Sequence, residues 1–327
     1  MGTFRICSIG CGGMATAGHG PAFARYAASH AGTELAACCD LDEGRARRFA
    51  ASFGFARAYT DAREMLRAER PDAVALIVPV QFTAAYAAAL LEAGFPVIME
   101  KPPGLNAREV SRIIEAAERS GTPHMVSFNR RHMPLVRAFR DMERGEAPRF
   151  LQYDFYRVGR TDPDFSTTAV HGIDTTRFLA GADYREVRLS YAPQPGFPAH
   201  VRNIFLDCTF ANGSSARISF CPVSGLLAER CTAHLDGAAI EGRFPVFRSF
   251  DLPGRVVRID GGKLTDIRAD DPADGAYFAN GFYGENAAFF DAVREGRRPA
   301  DTAQSGYQTV VIADAIRKNL ERVTFSE

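Results

Sequence analysis

The segment Gly10-Cys11-Gly12-Gly13-Met14-Ala15 constrains this chain more than any other, because it joins an apolar, β-compatible run (Phe4 to Ser8) to a helix-rich run (Ala22 to Ala28). It matches the pattern G-x-G-x-x-G/A, with Ala15 at the last place. The first two glycines of such a loop permit a tight turn and close backbone approach, and the helix that follows offers free N–H groups to a pyrophosphate. Alone the match is weak. Its place at the head of a strand–helix series gives it weight.

That series is regular. Leu35 to Cys39 is a second buried run and Glu43 to Phe53 reads as a helix. Asp61 and Glu64 form a capping box before Met65-Leu66, Asp72 to Val78 is a strand, and Ala84 to Ala93 is a helix stopped by Gly94. Val97 to Met99 is a further strand, and Asn106 with Glu109 caps a helix that runs to Ser120. Strict alternation of this kind means right-handed βαβ units and a parallel sheet covered on both faces.

After about His124 the grammar changes. Met125 to Phe128 is one more strand and Pro134 to Met142 a helix. Strands then dominate: Phe150 to Tyr156, Val187 to Tyr191, Asn203 to Phe210, Ser215 to Phe220, Arg230 to Leu235 and Arg255 to Ile259. Asn212-Gly213 marks a hairpin between two of them. The tail returns to helix at Glu285 to Arg294 and Ser305 to Leu320. The expected fold is α/β, with an N-terminal Rossmann dinucleotide-binding domain over residues 1–123. A C-terminal α+β domain over 124–327 would carry a mostly antiparallel open sheet, and the C-terminal helices could pack back on the first domain. The open sheet face is expected to serve self-association, as a homodimer or homotetramer.

Composition narrows the function. A chain of 327 residues exceeds one ordinary core, and 46% hydrophobic with 24% charged residues is a globular balance. Lys plus Arg and Asp plus Glu both count 39, without long single-sign blocks, so neither nucleic acid nor a membrane surface is the expected partner. No stretch approaches the roughly 18 apolar residues of a membrane helix. A signal peptide is not indicated, and Ile6 stands where a myristoylation motif starting at Met1-Gly2 wants Ser or Thr. A cytoplasmic location is expected. The seven cysteines lack a CxxC pair and read as reduced core residues, and the histidines show no metal-ligand spacing, so no metal is expected.

Three residues carry candidate chemistry. Asp40 ends the second strand, where a carboxylate can accept from both ribose hydroxyls and repel a 2′-phosphate; a solvated turn or helix cap is the plain alternative. Lys101, in Glu100-Lys101-Pro102, follows a strand at the sheet's carboxyl edge, where open α/β sheets bind ligands. A lysine there can hold a hydroxyl and stabilise alkoxide charge; an ordinary surface tripeptide is the plain alternative. His171 opens an apolar helical segment with Asp174 one turn on, and its ordinary pKa of about 6.5 suits a base that takes a proton from an alcohol. A buried or capping histidine remains the alternative.

Taken together, the sequence resembles the Gfo/Idh/MocA oxidoreductases. The likeness runs through the glycine loop, Asp40, Tyr59-Thr60-Asp61, Leu91-Glu92-Ala93-Gly94, Glu100-Lys101-Pro102, Phe128-Asn129-Arg130-Arg131 and His171-Gly172-Ile173-Asp174. It continues in the tail from Phe289 through Asp291-Ala292-Val293-Arg294-Glu295-Gly296 to Pro299. The resemblance implies hydride transfer between a nicotinamide cofactor, NAD in preference to NADP, and a secondary carbinol or ketone of a sugar, polyol or derivative. Lys101 and His171 would be catalytic, with Lys101 orienting the hydroxyl and His171 exchanging its proton. Gly10, Cys11, Gly12, Gly13, Met14, Asp40, Pro79, Glu100 and Lys101 would bind the cofactor, and Asp174, Arg130, Tyr156 and Arg157 are candidates for substrate contact. Two positions depart from the family pattern: Thr167 stands where an Asp usually precedes the histidine by four residues, and Thr83 where a His commonly follows the turn after the fourth strand. Asp162 and Asp164 are the nearest acids that could replace the missing one. An NAD-dependent glycosidase with retained cofactor and a non-catalytic sugar or dinucleotide sensor are the alternative functions.

Overall fold

The computed structural model describes residues 2–326, apart from the side chain of Pro272; Met1 of the myristoylation comparison lies outside the described residues. The chain divides into two compact units, one of residues 1–129 and 281–310, the other of residues 130–280 and 311–327.

The first unit alternates strand and helix. Its elements are β1 (Phe4–Ile9), α1 (Gly20–Ser29), β2 (Thr33–Cys39), α2 (Glu43–Phe53), β3 (Arg57–Tyr59), α3 (Ala62–Glu69), β4 (Ala73–Leu76), α4 (Val80–Glu92), β5 (Val97–Glu100), α5 (Ala107–Ser120) and β6 (His124–Ser127). The strands form one parallel sheet in the order β3-β2-β1-β4-β5-β6. Side-chain caps set the helix starts: Asp42, Asp61 and Asn106 each accept a backbone N–H in the first turn of α2, α3 and α5. Left-handed glycines at Gly54 and Gly121 end α2 and α5. The near-continuous apolar character of β1, β4 and β5 follows from burial on both faces, with one apolar cluster around Val74, Val97 and Ile113 and another around Phe23, Phe49 and Phe290. β6 pairs with β5 in the same parallel sense, so the unit continues through Asn129 rather than stopping after residue 123.

The second unit opens with α6 (Pro134–Met142), β7 (Phe150–Tyr156) and α7 (Ser166–Ala180). Seven strands follow: β8 (Tyr184–Pro193), β9 (Arg202–Phe210), β10 (Ser215–Cys221), β11 (Ala228–His234), β12 (Ala238–Phe244), β13 (Arg255–Asp260) and β14 (Lys263–Ala269). After the short α8 (Ala276–Ala279) come α9 (Phe282–Arg294), which belongs to the first unit, α10 (Tyr307–Arg317) and β15 (Arg322–Thr324). The nine-stranded sheet runs β14-β13-β12-β11-β7-β10-β9-β8-β15, with only β7 and β10 parallel among its neighbours. Alternation places Leu151, Tyr153 and Phe155 of β7 on the covered face. Fully burying one such large side chain is worth roughly 2–3 kcal/mol. They pack with Phe139 of α6 and Ile173 of α7 in one core. The Asn212-Gly213 hairpin forms as its sequence indicates, with Gly213 at positive φ between β9 and β10.

Among the described residues no helix is long and apolar enough to cross a membrane, and no three His, Cys, Asp or Glu side chains are grouped to hold a metal.

Candidate active site

In the first unit, the glycine loop leaves β1 where the strand order reverses between β1 and β4, the position at which open α/β sheets bind their ligands. Gly10 has φ +96°, and a Cβ there would sit 2.0 Å from the carbonyl oxygen of Ile77, so only glycine lets the loop pass the end of β4. At Gly12 and Gly13 an added Cβ would meet nothing within 4 Å. Packing within the protein therefore gives no reason for glycine at those two places, whereas a ligand lying against the loop does. Ala15 is fully buried, as the last position of the pattern requires where the helix approaches the sheet. Pro79 caps the start of α4 after β4, and Thr83, buried in that helix's first turn, turns its hydroxyl back to the Pro79 carbonyl.

Asp40 serves the loop as well as facing outward from it. Its Oδ2 accepts the Cys11 N–H at 2.9 Å and its Oδ1 accepts the Asp42 N–H at 3.0 Å. Each oxygen keeps a lone pair, since a carboxylate offers about four acceptor sites. The Arg45 guanidinium lies 3.8 Å from Oδ2.

Glu100 and Lys101 end β5. Glu100 is buried, and its Oε2 accepts the Lys101 N–H at 3.0 Å while its Oε1 lies 2.9 Å from His19 Nε2. Burial works against the charge of Glu100, but the His19 hydrogen bond and the nearby charges of His19 and Lys101 hold its carboxyl below the usual range. His19 lies at the end of the π-helical turn Ala15–His19 that continues from the glycine loop, with Asn286 of α9 against its Nδ1 and the Phe282 ring edge-on at 5.1 Å. Sequence reasoning passed over His19. Its place directly after the loop was the available signal.

In the second unit, α7 carries His171. Gly172 beside it lets the helix close on the sheet, because a Cβ there would meet the Phe220 ring at 2.8 Å. Arg130 Nη1 lies 2.6 Å from His171 Nδ1, and Arg130 also grips Glu229 of β11, from Nε at 2.7 Å and from Nη2 at 2.5 Å. Glu229 is fully buried and further accepts from Arg157 and from the Tyr153 hydroxyl at 2.9 Å. Burial opposes its charge, yet the two arginines bring its carboxyl down to about 2. The fold thus gathers His171, Arg130 and Arg157 around one carboxylate. Asp174 forms a buried pair with Arg131, at 2.8 and 2.5 Å. Tyr156 lies on the opposite face of β7 from Tyr153, so the phenol in the cluster is the one three residues earlier.

The acids near the unusual Thr167 have local duties. Asp164 Oδ1 accepts the Ser166 N–H at 2.9 Å at the start of α7, and Asp162 pairs with Arg160 at 2.7 Å. The Thr167 hydroxyl donates to the Asp164 carbonyl at 3.4 Å.

Comparison with known proteins agrees with this layout. Residues 4–128 match the family described as an oxidoreductase family with NAD-binding Rossmann fold. The chain is 35% identical over 107 residues to D-apiose dehydrogenase of Paraburkholderia graminis, a match spanning 33% of this chain and 28% of that protein. It is 26% identical over 321 residues to inositol 2-dehydrogenase of Salmonella typhimurium, spanning 91% and 89% of the two chains. The crystal structure of a dehydrogenase from Chromobacterium violaceum superposes with a TM-score of 0.85 at 20% identity, covering 98% of this chain and 96% of that one.

Proposed function

We propose that this chain, which over residues 4–128 matches the Gfo/Idh/MocA oxidoreductase family, is an NAD-dependent dehydrogenase or reductase acting at a secondary carbinol, or the matching ketone, of a sugar, polyol or derivative. The observation that carries the reading is the glycine cradle at the sheet's reversal point, open over Gly12 and Gly13 and flanked by Asp40. The residues fit a dinucleotide. Gly10 to Met14 would hold its pyrophosphate, with Pro79 and Glu100 bordering the same edge of the sheet. When bound, the nicotinamide supplies or accepts the hydride.

Asp40 supports NAD over NADP. Its spare lone pairs suit two ribose hydroxyls, whereas a 2′-phosphate would face a like charge. The Arg45 guanidinium at this corner, which would soften that repulsion, is already drawn to Asp40 and Asp42. We assign Lys101 to orienting a substrate hydroxyl and stabilising developing alkoxide charge, and His171 to exchanging the proton of a substrate hydroxyl. Arg130, Arg157 and Asp174, whose charges are met by buried protein partners, act by holding the site together. Fluorescence titration with the two dinucleotides tests the cofactor assignment. NAD should bind more tightly; tighter NADP binding would refute it.

A further inference from the structure

The place of His19 is built against helix propensity. Gly18 and Gly20 flank it, and neither has positive φ, so the backbone does not call for glycine there. Glycine is a poor helix residue. Packing supplies the reason: a Cβ on Gly18 would meet the Phe282 ring at 2.7 Å, and one on Gly20 the Phe53 ring at 2.4 Å. The two glycines let the π-helical turn press against α9 and α2, and this seats the buried His19 ring among Phe23, Phe282 and Asn286. Turns of this kind are rare and recur at functional sites.

The seated ring is held at both nitrogens. Asn286 donates from Nδ2 to the Phe282 carbonyl at 2.8 Å, which fixes its amide, and the same nitrogen lies 3.1 Å from His19 Nδ1. Nε2 lies 2.9 Å from Glu100 Oε1, and because a carboxylate only accepts, the ring is the donor. Glu100 is buried, and its other oxygen takes the Lys101 N–H at 3.0 Å. One oxygen of this carboxylate therefore answers to the helix that follows the glycine loop, and the other to the backbone of the lysine. Without the His19 donor, Oε1 would be a buried charged acceptor stripped of its hydrogen bond, a costly state. The carboxylate leaves that state by turning towards another donor, and the turn gives up the Lys101 N–H.

We propose that His19 is a positioning residue of this site: by holding Glu100 in the orientation that receives the Lys101 N–H, it fixes where the lysine leaves β5. The link lies wholly within the first unit and stands on its own geometry; its service to catalysis rests on the dehydrogenase reading above and on the role given there to Lys101. A group that stabilises charge on a substrate oxygen must be held within about 0.5 Å of its productive place. A side chain as long as lysine inherits that precision from its backbone.

The chain has three lysines, Lys101, Lys263 and Lys318, so protein labelled with nitrogen-15 lysine gives a sparse amide spectrum in which the Lys101 signal is identified by its loss in Lys101→Arg. Hydrogen exchange at that amide, measured on the protein as purified, reads the link without any turnover. Exchange should be slow in wild type and in His19→Gln, whose amide nitrogen reaches the place of Nε2. It should be at least about tenfold faster in His19→Leu and in His19→Asn, whose shorter amide falls short of Glu100. Should His19→Leu fail to fold, His19→Asn carries the comparison. Exchange as slow as wild type in the folded Leu or Asn variant, or as fast in His19→Gln as in these, would overturn the link. In the kinetic arm, kcat on the best substrate of a carbohydrate panel should fall about tenfold or more in His19→Leu and His19→Asn and return to within about threefold of wild type in His19→Gln, with NAD affinity within about threefold throughout. A kcat that does not move, or that falls only in proportion to NAD binding, would refute the positioning role. A wild type with a slow Lys101 amide that turns over no carbohydrate would contradict the dehydrogenase reading, and the catalytic half of this inference with it.

Discussion

Lys101 is held from behind. Its backbone N–H is anchored on Glu100, and Glu100 is anchored in turn on His19, so the glycine loop and the lysine at the end of β5 are tied through two side chains of one unit. This placement separates the lysine's two possible roles. If Lys101 acts on developing charge, Lys101→Ala should lower turnover by about a hundredfold while NAD affinity changes less than about threefold, since loss of one charge stabiliser commonly costs that much. Parallel steady-state kinetics and dinucleotide titration check it. Unchanged turnover, or a loss explained wholly by weaker NAD binding, would remove Lys101 from the chemistry. Glu229 behaves differently, because its role is to neutralise two buried arginines, and removing one member of such a set typically costs about 3–5 kcal/mol of stability.

At the scale of elements, most of the first unit is legible in the sequence, because capping residues and apolar runs are local signals. Asp61, Asn106 and the glycines at Gly94 and Gly121 mark helix ends that the structure shows within a residue or two. The second unit is read less fully. β12 escaped because its sequence, Ala238 to Phe244, contains Gly242 and two alanines in place of β-branched residues. Gly242 has a tertiary reason: a Cβ there would meet Phe139 of α6 at 2.9 Å. β14, an edge strand with mostly exposed side chains, lacks the alternation that burial of one face imposes. The site divides in the same way. Lys101, Asp40 and the glycine loop lie at strand ends that pattern alone locates, and His171 is found on its helix. The carboxylate behind it could not be foreseen, since Glu229 is 99 residues away in sequence from Arg130, the arginine that contacts His171. Periodicity tells which face a residue occupies, and Glu229 does share the covered face with Cys231 and Ala233. It does not tell which side chain waits across the core.

The whole molecule adds a pH dependence that no catalytic group supplies. His124, in β6, is buried, and its Nε2 accepts the Ala303 N–H at 3.0 Å; burial pushes its pKa down from the ordinary 6.5 to about 4. Above the unfolded value neither state binds the proton, so the residue contributes no pH dependence there. As pH falls below 6.5 the unfolded chain takes up a proton that the folded protein refuses until about 4. Stability should therefore decline through that window, by about 2 kcal/mol at about pH 5, before most carboxylates titrate. Urea midpoints should fall less steeply with pH in His124→Gln than in wild type; identical slopes would show that His124 is not the group concerned. The central claim concerns chemistry, and the most direct measurement is turnover of a panel of polyols, sugars and sugar acids with NAD and with NADP, following both reduced dinucleotide and product. We expect NAD-dependent oxidation of a secondary carbinol in at least one polyol or sugar, with NADP the poorer cofactor. Net hydrolysis of a glycoside without net reduction of the dinucleotide would point to a glycosidase, and binding without turnover of any member of the panel to a sensor; either result would contradict the account.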